Sequence, residues 1–235
     1  MTLPFTDEQF FGVFAAYNSL LWPAALVLWV ATAVVCIAWL RGRASRSSLV
    51  PGLLAVHWIW VGLAYHAAFF TRINPAAWWF SGLFVVEAGM LAWYGLVRGR
   101  IRFTERASSM RYVASVMLIA YALAYPVIAQ AEGHAYPQVP TFGVPCPSTI
   151  LTIGFLLAAD PPLPRLVAVV PILWALIGGS GAFLFGVRAD FMLLVAGVAL
   201  IGDVLRPTAR RGLVGRVATG SGTIDAAPRQ AHRSA

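Results

Sequence analysis

Apolar residues run through the chain in seven blocks, separated by short polar or arginine-bearing links. The blocks fall at about residues 20–40, 49–71, 76–97, 112–131, 148–159, 166–185 and 188–205. Most approach the roughly 20 residues that a helix needs to cross a hydrocarbon core. The pattern predicts an all-α fold, a polytopic transmembrane bundle of about seven spans. Ahead of the first block, residues 1–18 set Phe5, Phe10, Phe11, Phe14 and Tyr17 among polar positions. That reads as an amphipathic lead-in lying at the membrane interface. Past the last block, residues 206–235 are rich in Arg, Gly and Ser and read as a disordered basic tail. The chain thus divides into 1–18, 19–205 and 206–235.

The links give the orientation. All 17 basic residues are arginine, and all but Arg72 and Arg188 fall on alternate links or in the tail. Arginine is held on the cytoplasmic side of membrane helices. The predicted topology therefore has the N-terminus outside, the C-terminus inside and an odd number of spans. The expected location is the bacterial inner membrane, multi-pass, with the lipid bilayer as the principal partner.

The fifth block departs from the others. It follows Phe142-Gly-Val-Pro-Cys-Pro-Ser-Thr-Ile150, where two prolines bracket Cys146. Pro147 suits the first turn of a helix, where a missing N–H costs nothing. Cys146 would then sit among unpaired N–H groups at the positive end of the helix dipole, a setting that favours the thiolate. The block is short for a full crossing. Either Gly143–Pro147 forms a kinked extra turn, or the helix begins part-way into the bilayer. The second is tolerated where the backbone lines a cavity or is buried in protein.

Composition agrees with a membrane chain and removes several functions. The 235 residues are 60% hydrophobic and 11% charged, with mean hydropathy +0.76. Soluble domains carry about 25% charged residues. The net charge of +8 lies in links and tail, so it is a topology signal and not a nucleic-acid surface. The absence of lysine excludes a retinal Schiff base and lysine-based catalysis. Cys36 and Cys146 are expected at opposite ends of the bundle, too far apart for a disulfide. The acidic start Met-Thr-Leu-Pro-Phe-Thr-Asp-Glu does not read as a cleavable signal peptide. No Ser-His-Asp set, phosphate loop, His-Glu-x-x-His or dinucleotide fingerprint occurs. The chain therefore reads more readily as a non-enzyme.

Ionisable groups inside a membrane are expensive and mark function by default. His57 and His66 lie on one predicted helix, about 13.5 Å apart along its axis and on opposite faces, so they cannot share one ion. Glu87 falls in mid-helix on the neighbouring segment, at a depth similar to His57. A charged pair, or a neutral pair sharing a proton, is expected there. The alternative for Glu87 is a structural hydrogen bond to a tyrosine or to a carbonyl; Tyr121 joins Glu87 and His57 in the expected polar core. A second constellation gathers His66, His134 and Cys146 near the outer face, with Glu132 close in sequence. Thiolate and imidazole suit a soft metal ion, zinc or copper(I). Haem fits less well, because no two histidines face each other on helices. Among the remaining acids, Asp190 is expected to pair with Arg188, and Asp160 and Asp203 to be neutralised by cytoplasmic arginines.

Two stretches carry a family resemblance: Ala64-Tyr-His-Ala-Ala-Phe-Phe-Thr-Arg-Ile-Asn-Pro-Ala-Ala76 and Thr141-Phe-Gly-Val-Pro-Cys-Pro-Ser-Thr-Ile-Leu-Thr-Ile-Gly154. Together they resemble an uncharacterised bacterial multi-spanning membrane family, known only as a domain of unknown function. The resemblance runs to about Leu205. It implies an integral membrane protein and supplies no activity. The residues themselves suggest a protein that binds or moves a small solute or soft metal ion. Cys146, His66 and His134 would form its outer site, and Glu87 with His57 would couple protonation deeper in the bundle. Two other readings stand beside it: a non-catalytic scaffold or accessory subunit, and a membrane redox enzyme using the Cys146 thiol.

Overall fold

The computed structural model describes residues 4–44, 48–103, 109–160 and 163–206. Helix α1 spans Asp7–Leu40. Its start is fixed by a capping box in which Thr6 and Gln9 exchange hydrogen bonds, with Asp7 and Glu8 beside the positive end of the dipole. The helix runs unbroken through the expected lead-in and through Pro23, so no hinge marks position 18. Val13, Phe14, Tyr17 and Asn18 point inward and are buried. Helix α2 covers Leu49–Trp60 and widens into a π-helical turn, Val61–Ala67. Helix α3, Ala77–Leu91, ends the same way over Ala92–Val97. Gly62 lets these two helices close up, since a Cβ there would sit 3.2 Å from Phe84 Cβ and from the Ser81 carbonyl.

Helix α4 is Ser109–Ala131, α5 is Pro145–Ala158 and α6 is Leu166–Gly179. A single turn, α7 at Gly181–Leu184, precedes α8 at Phe191–Leu205. Seven helices of substance are present and no strand is formed among the described residues; Phe103 and Ala159 make one isolated bridge. Five helical stretches are long and apolar enough to cross a membrane: Asp7–Leu40, Leu49–Arg72, Ala77–Val97, Met110–Ala131 and Leu166–Leu184. Helices α5 and α8 have 14 and 15 residues. At 1.5 Å per residue they extend about 22 Å, against a hydrocarbon core of about 30 Å.

Helix α5 is the central pillar. It is largely apolar, with Ser148, Thr149 and Thr152 its only polar side chains, and all of its residues but Cys146 are buried. Such a helix belongs inside a bundle. Helices α2, α4, α6 and α8 surround it. Gly154 admits α4 closely, because a Cβ there would lie 2.8 Å from Ile119 Cγ1 and 3.2 Å from the Ser115 carbonyl. Trp58 Nε1 donates to Thr152 Oγ1 at 2.8 Å and ties α2 to the same pillar.

The two ends of the bundle differ. At the arginine-rich end, Arg111 pairs with Asp203 at 2.8 Å and donates to the Ala159 carbonyl at 3.3 Å. Asp160 N–H donates to the Arg102 carbonyl at 2.8 Å. An arginine neutralises Asp203, as the sequence led us to expect. Helix α5 ends here, so its first turn lies well inside the bundle. The chain reaches that point by dipping inward from the arginine-poor end: Val139, Pro140, Phe142, Gly143 and Val144 are all buried. Asn18 Nδ2 donates to the carbonyls of Pro137 and Val139 at 2.6 and 2.8 Å. Tyr17 donates to the Gly143 carbonyl at 3.2 Å and accepts from Trp60 Nε1 at 2.8 Å. Tyr17 and Asn18 lie about 15 Å along α1 from its start. The fifth helix thus begins part-way through the bundle, and its approach carries its polar backbone on side chains of α1. Expectations for Arg46, Arg106 and the tail from residue 207 onward fall outside the described residues.

Candidate functional site

A cavity of about 190 Å³ opens at the arginine-poor end, above the first turn of α5. Cys146 from α5, Trp174 and Gly178 from α6, Asp190 from the turn before α8, Tyr125 from α4, and Tyr65 and His66 from the π-helical turn all line it. Phe5, Phe10 and Phe185 close over it, the last two stacked with centroids 4.0 Å apart. Of the lead-in aromatics, Phe5, Phe10 and Phe14 thus line this cavity. Exposed Pro4, Ser180 and Leu184 are also among the lining residues.

His66 is fully buried, and neither ring nitrogen has a hydrogen-bond partner. Its ring is hemmed by Phe84, Trp174 and Tyr65 at centroid distances of 4.8, 5.0 and 5.3 Å. Trp174 Nε1 is likewise buried and unpartnered. An orphaned buried polar group costs about 1–3 kcal/mol. The widened turn of α2 brings His66 here, and π-turns of this kind recur at functional sites.

Asp190 is the polar centre of the opposite wall, 4% exposed. The Tyr125 hydroxyl donates to its Oδ1, and the Cys146 thiol hydrogen-bonds the same carboxyl. Burial pushes its pKa up to about 7; the bonds from Tyr125 and Cys146 oppose that rise, and the charge of Glu132 adds to it. The turn carrying Asp190 is held from α4: Tyr121 donates to the Ala189 carbonyl at 2.9 Å, and Glu132 Oε2 accepts the Ala189 N–H at 3.0 Å. The sequence concealed this site. Asp190 stands two residues from Arg188 and looks neutralised locally, whereas its partners are Tyr125 and Cys146 and Arg188 is exposed.

The expected metal set does not assemble. Cys146 and His66 share the cavity, but His134 is not among its lining residues and stacks on Phe11 at 5.0 Å. Among the described residues, no three His, Cys, Asp or Glu groups converge well enough to hold a metal ion. Cys146 also lacks the electropositive neighbourhood of a reactive thiolate, since its partner is an acid. Loop position put these groups at one end of the bundle, and side-chain direction then separated them.

The deeper pair also comes apart. His57 Nε2 lies 2.8 Å from Thr32 Oγ1, and Nδ1 lies 3.2 Å from Ser148 Oγ. The Thr32 hydroxyl already donates to the Leu28 carbonyl at 2.7 Å. It must therefore accept from His57 Nε2–H, which leaves Nδ1 to accept from Ser148. Both imidazole nitrogens are used up in joining α1, α2 and α5, and none remains for Glu87. Both Glu87 oxygens are buried without a partner. Tyr121 is engaged at the cavity turn and not with Glu87. Helices α2 and α3 are neighbours, but His57 turns toward α1 and α5.

These features define a class: an all-α integral membrane protein with a central helix that begins inside the bundle and an aromatic-walled cavity above it. The chain belongs to the Family of unknown function (DUF6064), which matches residues 7–213. That accords with the resemblance carried by the two stretches around His66 and Cys146. No curated protein matches the chain, and no solved structure does.

Proposed function

We propose that this protein binds a small, largely apolar solute carrying a hydrogen-bonding group in the cavity above α5. The observation that carries this reading is His66: a fully buried imidazole lining a cavity with both nitrogens unpartnered, beside the equally unpartnered Trp174 Nε1. A neutral imidazole offers one donor and one acceptor. A solute that meets them recovers free energy that unpartnered nitrogens forgo, and the rings around them shelter its apolar body. The setting we infer is the bacterial inner membrane. The arginine-rich end faces the cytoplasm, as the positive-inside bias requires, and the cavity faces the exterior. The basic tail from residue 206 then lies inside. Binding is the step the cavity supports. Movement across the membrane would further need a route past α5, whose flanks are closed by Gly154 and the Trp58–Thr152 bond.

The test is titration of the purified protein in detergent with 2-phenylethanol, followed by tryptophan fluorescence. His66→Phe keeps a ring in place and removes both nitrogens. It should weaken binding about tenfold, the value of one or two lost hydrogen bonds. Equal affinity in the variant, or no binding by the native chain, overturns the proposal.

A further inference from the structure

The cavity holds a second feature that the solute reading leaves unused. Among the described residues, its one carboxyl, Asp190, sits among aromatic walls with no cation beside it. The groups that face Asp190 are Tyr125 from α4, Cys146 from α5, Glu132 at the end of α4, and more distantly Tyr65 and Tyr121. None of these brings positive charge, and Glu132 brings more negative charge. Arg188 on the same turn is exposed. A buried acid is ordinarily matched by a cation. Here the remaining space against it is lined by Phe14, Tyr65, Phe70, Phe80, Trp174 and Phe185. Aromatic faces attract cations through the ring quadrupole, most strongly where water is excluded. Gly181 adds room directly over the carboxyl, since a Cβ built there would lie 3.5 Å from Asp190 Oδ2.

We infer that the solute is a small organic amine, bound as its ammonium ion, with Asp190 as counter-ion and the surrounding rings as walls for its apolar body. The inference rests on the solute-binding reading above and narrows it to a chemical class. The cavity size sets the scale of the ligand. A cavity of about 150 Å³ accommodates benzene, so one of about 190 Å³ suits an aryl or short alkyl amine of about ten heavy atoms. His66, unpartnered on the same lining, supplies a neutral acceptor for a second ammonium proton or a donor for a hydroxyl. Tyr125 holds Oδ1 of the carboxyl, and Oδ2 lies toward Gly181, where the ammonium would meet it.

The probes are 2-phenylethylamine and 2-phenylethanol, equal in shape and different in charge, titrated into the full chain in detergent. The amine should bind at least about tenfold tighter than the alcohol at pH 8, as expected for a partly desolvated charge pair. Asp190 is raised to about 7 by burial. Below that pH, binding an ammonium requires the carboxyl to give up its proton. Amine affinity should therefore fall about tenfold per pH unit below about 7, while alcohol affinity stays flat. In Asp190→Asn the preference and its pH dependence should both vanish. Retained alcohol binding would show that the variant is folded. Equal binding of amine and alcohol by the native chain, with the alcohol still sensitive to His66→Phe, overturns the amine assignment and leaves the solute site standing. Failure of both probes removes both.

Discussion

Gly143 is the point at which the inward-dipping segment can be tested most sharply. It has φ +81°, in the left-handed region, and a Cβ there would lie 2.6 Å from the Tyr17 hydroxyl and 2.9 Å from Trp60 Nε1. Gly143→Ala therefore has two costs. The left-handed backbone disfavours any L side chain by about 1–2 kcal/mol. The methyl also displaces Tyr17 and Trp60, which bond each other and, through Tyr17, the Gly143 carbonyl. Each buried hydrogen bond lost or orphaned costs about 1–3 kcal/mol. A total near 4 kcal/mol lowers the unfolding midpoint of a chain this size by roughly 10 °C. Cys36 is 3% exposed and serves as the built-in reporter: its reaction with a thiol-sensitive fluorophore on heating in detergent follows unfolding. Gly82→Ala is the control, because a Cβ there meets nothing within 4 Å. A Gly143→Ala midpoint within about 1 °C of the native protein would refute the clamp of Tyr17 and Trp60 on this segment.

Three further substitutions probe the buried and part-buried polar groups by the same thermal assay. Glu87→Leu should raise stability by about 1–3 kcal/mol, because both carboxyl oxygens are buried without partners; a fall would mean that Glu87 has a partner that holds α3 in place. Arg111→Ala and Asp203→Ala, alone and together, should show a coupling of about 1–3 kcal/mol, above that of a surface pair, since the side chains are 15% and 12% exposed. Additive effects in that cycle would assign the α4–α8 contact to packing alone.

The chain pattern was sufficient for the class and the helix count because a membrane imposes a simple rule on sequence. Each crossing must be apolar for about 20 residues, and arginine must stay on one side. Pro145 and Pro147 around Cys146 even marked where α5 starts, since proline is harmless only in a first helical turn. The same reasoning placed His66 and Cys146 at one end and His57 near the depth of Glu87. It could go no further, because depth along a helix follows from residue count whereas the direction of a side chain follows from packing.

Three facts belonged to the tertiary structure alone. Helix α5 stands at the centre, because it is largely apolar all round and only surrounding helices could cover it and meet its few hydroxyls. His57 is committed to Thr32 and Ser148, partners 25 and 91 residues away, which no local pattern announces. Asp190 faces Tyr125, 65 residues distant, and not its neighbour Arg188, because the turn before α8 is pinned by Tyr121 and Glu132. Hydropathy is additive along a chain and can be read from it. The pairing of buried polar groups depends on which faces meet, and that is decided only when the helices close.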